Sequence, residues 1–237
     1  MPAEIDEFHQ EFFQDVVGTA DARGLFLEDA FFEIFCENLV DAGEMDTADR
    51  AHYSDKRKGR RVDGYGGDQI SADGTLSLII MDFNQANEVG SLTATDMDAI
   101  FKRLTNFVEA ANTTEFRNSL EESSPGFQLA NLISERWGTI AKVRLFLISN
   151  RLLSARVDGR PAGKIRGIPV TFSVWDLGRL YRFAALGHGR EDIEVDLKDE
   201  FGGAILALPA SSDGGAYAAY LAVIPGAQLA AIYERWG

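Results

Sequence analysis

The sharpest alternation in the chain runs through "LSLIIMDFNQ", residues 76–85, where Leu76, Leu78 and Ile80 share one face that Asp82 and Asn84 continue. The pattern predicts a buried strand, Thr75 to Phe83, whose aliphatic face ends in a carboxylate and an amide. An unpaired carboxylate buried there would cost several kcal/mol, so Asp82 requires a partner, a metal ion or water. Upstream, Val62 to Tyr65 reads as a second strand and Asp73-Gly74 as a turn, which together predict a hairpin. That pairing would bring Asp63 close to Asp82 in space.

Helical periodicity dominates residues 4–43, with a break expected around Gly18 to Gly24. Phe31, Phe32, Phe35 and Leu39 form one stripe, and Glu28 falls on it. Glu28 is then either an inward acid aimed at the sheet or a first-turn glutamate favoured by the helix dipole. After a polar connection, "DTADRAHYSDKRKGRR", residues 46–61, carries five basic residues among its last six and suggests no regular element. "TATDMDAIFKRLTNFVEAAN" predicts a helix capped by Thr95 with Asp98 three residues on, burying Ile100, Phe101, Leu104, Phe107, Val108 and Ala111. Another helix is expected from about Pro125 to Trp137, with Leu129, Leu132 and Ile133 inward.

Strand patterns return at "KVRLFLIS" and "IPVTFSVW", followed by a helix at "DLGRLYRFAAL". Further strands are expected at "DIEVDL", "GAILAL" and "YAAYLAVI", and a final helix at "GAQLAAIYERWG". This order indicates an α/β or α+β fold, a mixed sheet flanked by helices. The expected organisation is a core over residues 1–157 and a continuing α/β segment over 158–237, with "DGRPAGKIRG", residues 158–167, as the boundary.

The 237 residues are 46% apolar, enough for a substantial core, and carry a formal charge of -14. Such a chain repels nucleic acid and anionic membranes overall, so contact with phosphate must come from a local basic patch or bound cations. Cys36 is the one cysteine, which excludes an internal disulfide and any multi-cysteine metal site and suits a reducing, cytoplasmic setting. The acidic N-terminus does not read as a signal peptide, and no apolar run approaches the ~18 residues that span a bilayer.

A divalent-metal phosphodiesterase needs two or three converging carboxylates to hold the ion, often with a lysine to stabilise developing charge. One common construction places an acid at the start of a hairpin, an acid and a lysine two residues apart on the next strand, and a glutamate on the preceding helix. Asp63, Asp82 and Glu28 stand in the acidic places, and Asn84 in that of the lysine. An amide hydrogen-bonds water or phosphate but supplies no positive charge. Just before Asp63, the run Lys56, Arg57, Lys58, Arg60 and Arg61 either holds a nucleic-acid backbone over the candidate site or forms a solvated loop. His9, His52 and His188 lack metal-ligand spacing, "GYGGD" lacks the strand and helix of a dinucleotide fingerprint, and Cys36 beside the apolar stripe reads as core.

The segments "RRVDGYGGDQISADGTLSLIIMDFN", "LFLISNRLLSARV", "IRGIPVTFSVWDLGRLYRF", "GREDIEVDL" and "GAILALPAS…YAAYLAVIPGAQLAAIYERWG" resemble, in that order, the N-terminal portion of the abortive infection phage resistance proteins. The resemblance covers about residues 28–237. It implies a bacterial antiphage role, a restriction-endonuclease-like domain of the PD-(D/E)xK type, and a family C-terminal region beyond this segment. It also implies Asp63 and Asp82 as the first and second metal positions, with Asn84 in place of the lysine. Two functions then stand side by side. One is a Mg2+-dependent nuclease using Glu28, Asp63 and Asp82 on DNA or RNA. The other is a degenerate nuclease fold used for sensing or interaction, with a protein partner or a second copy and no membrane.

Overall fold

Aliphatic runs at 75–82 and 142–149 become the middle of a sheet, because strands apolar at nearly every position suit burial on both faces, while the more mixed run at 168–175 buries only Val170 and Trp175. The computed structural model describes residues 2–67, 70–154, 163–185, 196–198, 201, 203–209 and 220–236. These fall into two compact units, residues 1–191 and 192–237.

The first unit begins with helices α1 (Pro2–Arg23) and α2 (Leu27–Asp41), then strands β1 (Asp49–Asp55) and β2 (Arg60–Tyr65). A short α3 (Ile70–Asp73) leads into β3 (Thr75–Asp82), a two-residue β4 (Ser91–Leu92), and helices α4 (Ala94–Ala111), α5 (Thr114–Asn118) and α6 (Pro125–Arg136). The chain returns through β5 (Lys142–Ser149), β6 (Leu152–Leu153), β7 (Gly163–Ile165) and β8 (Ile168–Trp175) to α7 (Leu177–Ala185). Six strands form one mixed sheet in the order β1-β2-β3-β5-β8-β7. β3, β5 and β8 run parallel, with antiparallel pairs outside them, and β4 pairs with β6 in a separate parallel ribbon.

Alternation divides the core into two layers. Leu76, Leu78 and Ile80 pack with Val143, Leu145 and Leu147 under Phe101, Leu104, Phe107 and Val108 of α4 and Leu129 and Ile133 of α6. Ile79, Met81, Phe146 and Ile148 pack on the other face against Phe31, Phe32, Phe35 and Leu39 of α2, Phe12 and Val16 of α1, and Leu180 and Phe183 of α7. The mixed sheet flanked by helices is the fold class the pattern indicates.

Local details depart from expectation in three places. Residues 49–55 are a strand where the sequence pattern suggested no element. The cap of α4 is Thr93, whose hydroxyl accepts from the Asp96 N–H while the Asp96 carboxylate accepts from the Thr93 N–H, so the capping box sits two residues before the expected Thr95. The link between β2 and β3 holds α3 instead of a two-residue turn, with Asp73 Oδ1 accepting the Thr75 N–H at 3.0 Å.

In the second unit the described strands are β9 (Ala207–Pro209) and β10 (Tyr220–Ala222), which pair antiparallel, followed by α8 (Gly226–Trp236). The strand expected at "DIEVDL" falls largely on 192–195, outside the described residues, as does His188. The boundary expected at 158 lies in 155–162, also outside them; β7 and β8, beyond it, belong to the six-stranded sheet.

Candidate functional site

Asp63 sits near the middle of β2, and its side chain is fully buried at 0% exposure. The β2–β3 ladder covers only Gly64↔Ile79 and Tyr65↔Leu78. Beyond it the Met81 N–H donates to Asp63 Oδ2 at 2.9 Å, so the carboxylate takes the place of a strand carbonyl. Arg61, two residues back on the same strand, places Nε 2.8 Å from Oδ2. β1 contributes Arg50 and His52, because its register shifts between Arg50 and Tyr53 and crowds a bulge opposite Asp63. His52 Nδ1 lies 2.9 Å from Oδ1, and Arg50 Nη1 donates to the Asp63 carbonyl at 2.8 Å and approaches Oδ1 at 3.4 Å.

Arg50 is held in turn from α2, since its Nε donates to Asp29 Oδ1 at 2.9 Å and its guanidinium lies 5.0 Å from the Phe32 ring centroid. Gly64 makes this docking feasible. A Cβ there would collide with the Phe32 ring and come within 2.6 Å of the Asp49 carbonyl. Burial alone would push the Asp63 carboxyl up, but the bond from His52, the Arg61 charge and the Met81 N–H outweigh it and hold the pKa below its ordinary value.

Asp82 stands at the other end of β3 in a separate network. Ser149, its register partner on β5, donates Oγ to Asp82 Oδ2 at 2.8 Å, and Arg151 donates Nε to the same oxygen at 2.6 Å. Arg151 also reaches the Ser91 carbonyl at 3.1 Å and lies 3.7 Å from Asp96, the capping acid of α4. The bond to Asp82 raises the Arg151 pKa further. Asn84 pairs with Asn150 twice: its N–H donates to Asn150 Oδ1 at 2.8 Å, and Asn150 Nδ2 donates to its carbonyl at 2.7 Å. The Asn84 side chain turns back locally to accept the Ala86 N–H. After β8, Asp176 accepts the Leu153 N–H at 2.8 Å and caps α7 through the Arg179 N–H. The carboxyl ends of all three parallel strands are thus tied together by short polar side chains.

The structure therefore brings the anticipated residues into one region of the sheet without converging them. Asp63 and Asp82 lie on adjacent strands yet share no partner among the described residues. Glu28 is exposed in the first turn of α2 and accepts from Gln85 Nε2 at 3.0 Å, beside the end of β3; Asp29, not Glu28, is the α2 acid that reaches inward. Among the described residues no three His, Cys, Asp or Glu side chains gather into a group able to hold a metal ion. Both oxygens of Asp63 face cationic or N–H donors, which leaves no lone pair directed at an ion. Glu28, Asp63 and Asp82 do not fit a divalent cation in this arrangement, and no chemical step through one follows from it.

Of the basic run, Arg61 is committed to Asp63 and Arg60 stacks 5.0 Å from the Phe116 centroid, while Lys56, Arg57 and Lys58 are exposed at the β1–β2 turn. Cys36 is buried among phenylalanines, and burial pushes its thiol pKa well up, away from nucleophilic use. Sequence reading missed Arg50, Asp29, Ser149, Asn150 and Arg151. A signal existed for the last three: "SNR" follows an apolar run parallel to β3, and polar groups at the carboxyl ends of parallel strands are where α/β sheets place their sites.

The model for the abortive infection phage resistance protein N-terminal domain matches residues 31–182. No curated protein matches, and no solved structure matches. The matched span begins in α2 and ends in α7, so it takes in the whole six-stranded sheet together with Asp63 and Asp82, and leaves out Asp29.

Proposed function

Since the chain belongs to the abortive infection phage resistance family, we propose that this N-terminal domain is a sensing or interaction module on a degenerate nuclease-like fold, in which Asp63 and Asp82 are structural. One observation carries the reading: the buried Asp63 carboxylate is bound by Arg61, His52 and the Met81 N–H, with Arg50 close by, where a nuclease would require a metal. A carboxylate already neutralised by guanidinium groups gains little from a cation and would have to shed hydrogen bonds to accept one. Asn84 adds to this, since its amide offers no positive charge to a phosphate and its oxygen is engaged at Ala86. The single, buried cysteine favours a reducing bacterial cytoplasm as the place of action.

Mg2+-dependent phosphodiester hydrolysis is the alternative, and the Glu28–Gln85 contact favours it by holding a third acid near the end of β3. The two part in a cleavage assay. Incubation with single-stranded and duplex DNA and RNA in millimolar Mg2+ or Mn2+ is expected to leave every substrate intact. Cleavage that disappears in Asp82→Ala would overturn the proposal.

A further inference from the structure

The β1–β2 hairpin ends in a turn that is unusually basic for so acidic a chain. Asp55 Oδ1 accepts the backbone N–H groups of Arg57 and Lys58 at 3.0 and 3.1 Å, and Gly59 closes the turn at φ +59, a left-handed conformation that favours glycine. The turn is therefore set by its backbone, and Lys56, Arg57 and Lys58 are left exposed. Asn106 of α4 tethers the tip by donating Nδ2 to the Gly59 carbonyl at 3.0 Å. Lys102 and Arg103 precede Asn106 by one helical turn, at the i−4 and i−3 positions that share its face, and both are exposed.

The Asn106–Gly59 bond thus joins two cationic groups far apart in sequence into one surface of five positive side chains. None of the five enters an ion pair among the described residues. The acids nearby are Asp55, which spends one oxygen on the turn, Asp98, which lies one turn before Lys102, and Glu109, which lies one turn beyond Asn106. In a chain with a formal charge of -14, acidic side chains to pair with are plentiful, and a cluster left without them retains its charge for an outside anion. The rings closest to the hairpin face inward: Tyr53, Phe107 and Phe116 pack on one another at centroid distances of 5.3 to 5.9 Å. Among the described residues no exposed aromatic ring stands at the patch to stack on an unpaired base, which disfavours single strands.

Resting on the reading of the domain as an interaction module, we propose that Lys56, Arg57, Lys58, Lys102 and Arg103 grip the phosphate backbone of a nucleic-acid duplex without reading its sequence. Arg60 and Arg61 take no part, since both are held internally.

The test is fluorescence anisotropy of a labelled DNA duplex against the full chain in EDTA across a salt series, with RNA duplex and single-stranded DNA as competitors. Five phosphate contacts predict a slope of log K against log salt of about -4.5, and Lys102→Glu combined with Arg103→Glu lowers its magnitude by about 2 and weakens binding roughly tenfold or more at low salt. Lys164→Glu, at an exposed position on β7, is the control, because it alters net charge as much as Lys102→Glu does. Equal weakening by these two single variants would assign the effect to overall charge and overturn the patch. Preference for single strands, or no binding at any salt, would also overturn it while leaving the interaction reading intact. Binding that appears only when Mg2+ replaces the EDTA, and is then lost in Asp82→Ala, would instead overturn the interaction reading itself. Competition by RNA duplex as effective as by DNA supports backbone recognition, and sequence-dependent affinity contradicts it.

Discussion

Asp63 and Asp82 lie on adjacent strands, follow aliphatic neighbours, and look alike in sequence, yet their surroundings differ in kind. Asp63 is sealed at 0% exposure and satisfied by two side chains and a backbone N–H, with a second arginine bridging onward to α2. Asp82 remains 22% exposed, and its contacts gather on one oxygen, through Arg151 and Ser149. The first carboxylate is a structural pin joining β1, β2, β3 and α2. The second closes the ends of β3 and β5 and anchors the start of α4. The lesson is that a carboxylate on a strand gains its role from the cations the fold delivers to it, and for each of these two acids at least one, Arg50 or Arg151, comes from outside its own strand.

The largest consequence of this contrast is at Asp63. Asp63→Ala leaves Arg61 and the Met81 N–H without their acceptor in a buried setting, and is expected to cost about 3–5 kcal/mol in urea unfolding. A loss under ~1 kcal/mol would show that water replaces the carboxylate and that Asp63 is not the pin.

Acid should act through the same residue. Because the folded pKa of Asp63 is depressed, its contribution is complete above the unfolded value of about 3.9 and is lost as pH falls from there toward the folded value. Unfolding free energies measured from neutral pH downward should therefore decline less steeply below about pH 4 in Asp63→Asn than in the wild type. Equal slopes would assign the acid limb to other groups.

Asp82→Ala is expected to cost less, about 1–2 kcal/mol, since partial exposure lets water solvate Arg151 once its partner is gone. If its cost matched that of Asp63→Ala, the two networks would be of one kind after all. The smallest expected quantity is the coupling between them. With no partner in common, the double variant should equal the sum of the single ones within ~0.5 kcal/mol. A larger interaction energy would reveal a linkage through the backbone of β3.

Much of the frame was readable from the chain, because β3, β5 and β8 and helices α4, α6 and α7 carry strong periodicity that their packing reproduces. β1 was not, since Arg50 and His52 spend polar side chains on Asp63 and the bulge beside them breaks the alternation. The cap of α4 was misplaced because Thr93 to Asp96 and Thr95 to Asp98 both satisfy the capping pattern; pairing of Leu92 with Leu153 sets where the strand ends and so selects the first. Proximity of Asp63 to the end of β3 followed from the hairpin. The arginines that neutralise the two acids did not, as Arg151 reaches Asp82 across 69 residues and only the parallel pairing of β3 with β5 brings it there.

Calorimetric titration with Mg2+ and Mn2+ at low ionic strength, on wild type beside Asp82→Ala, tests most directly whether these acids serve structure or a metal. Saturable heat should be absent in both proteins. Saturable binding in the wild type that Asp82→Ala abolishes would contradict the structural role and restore the nuclease reading.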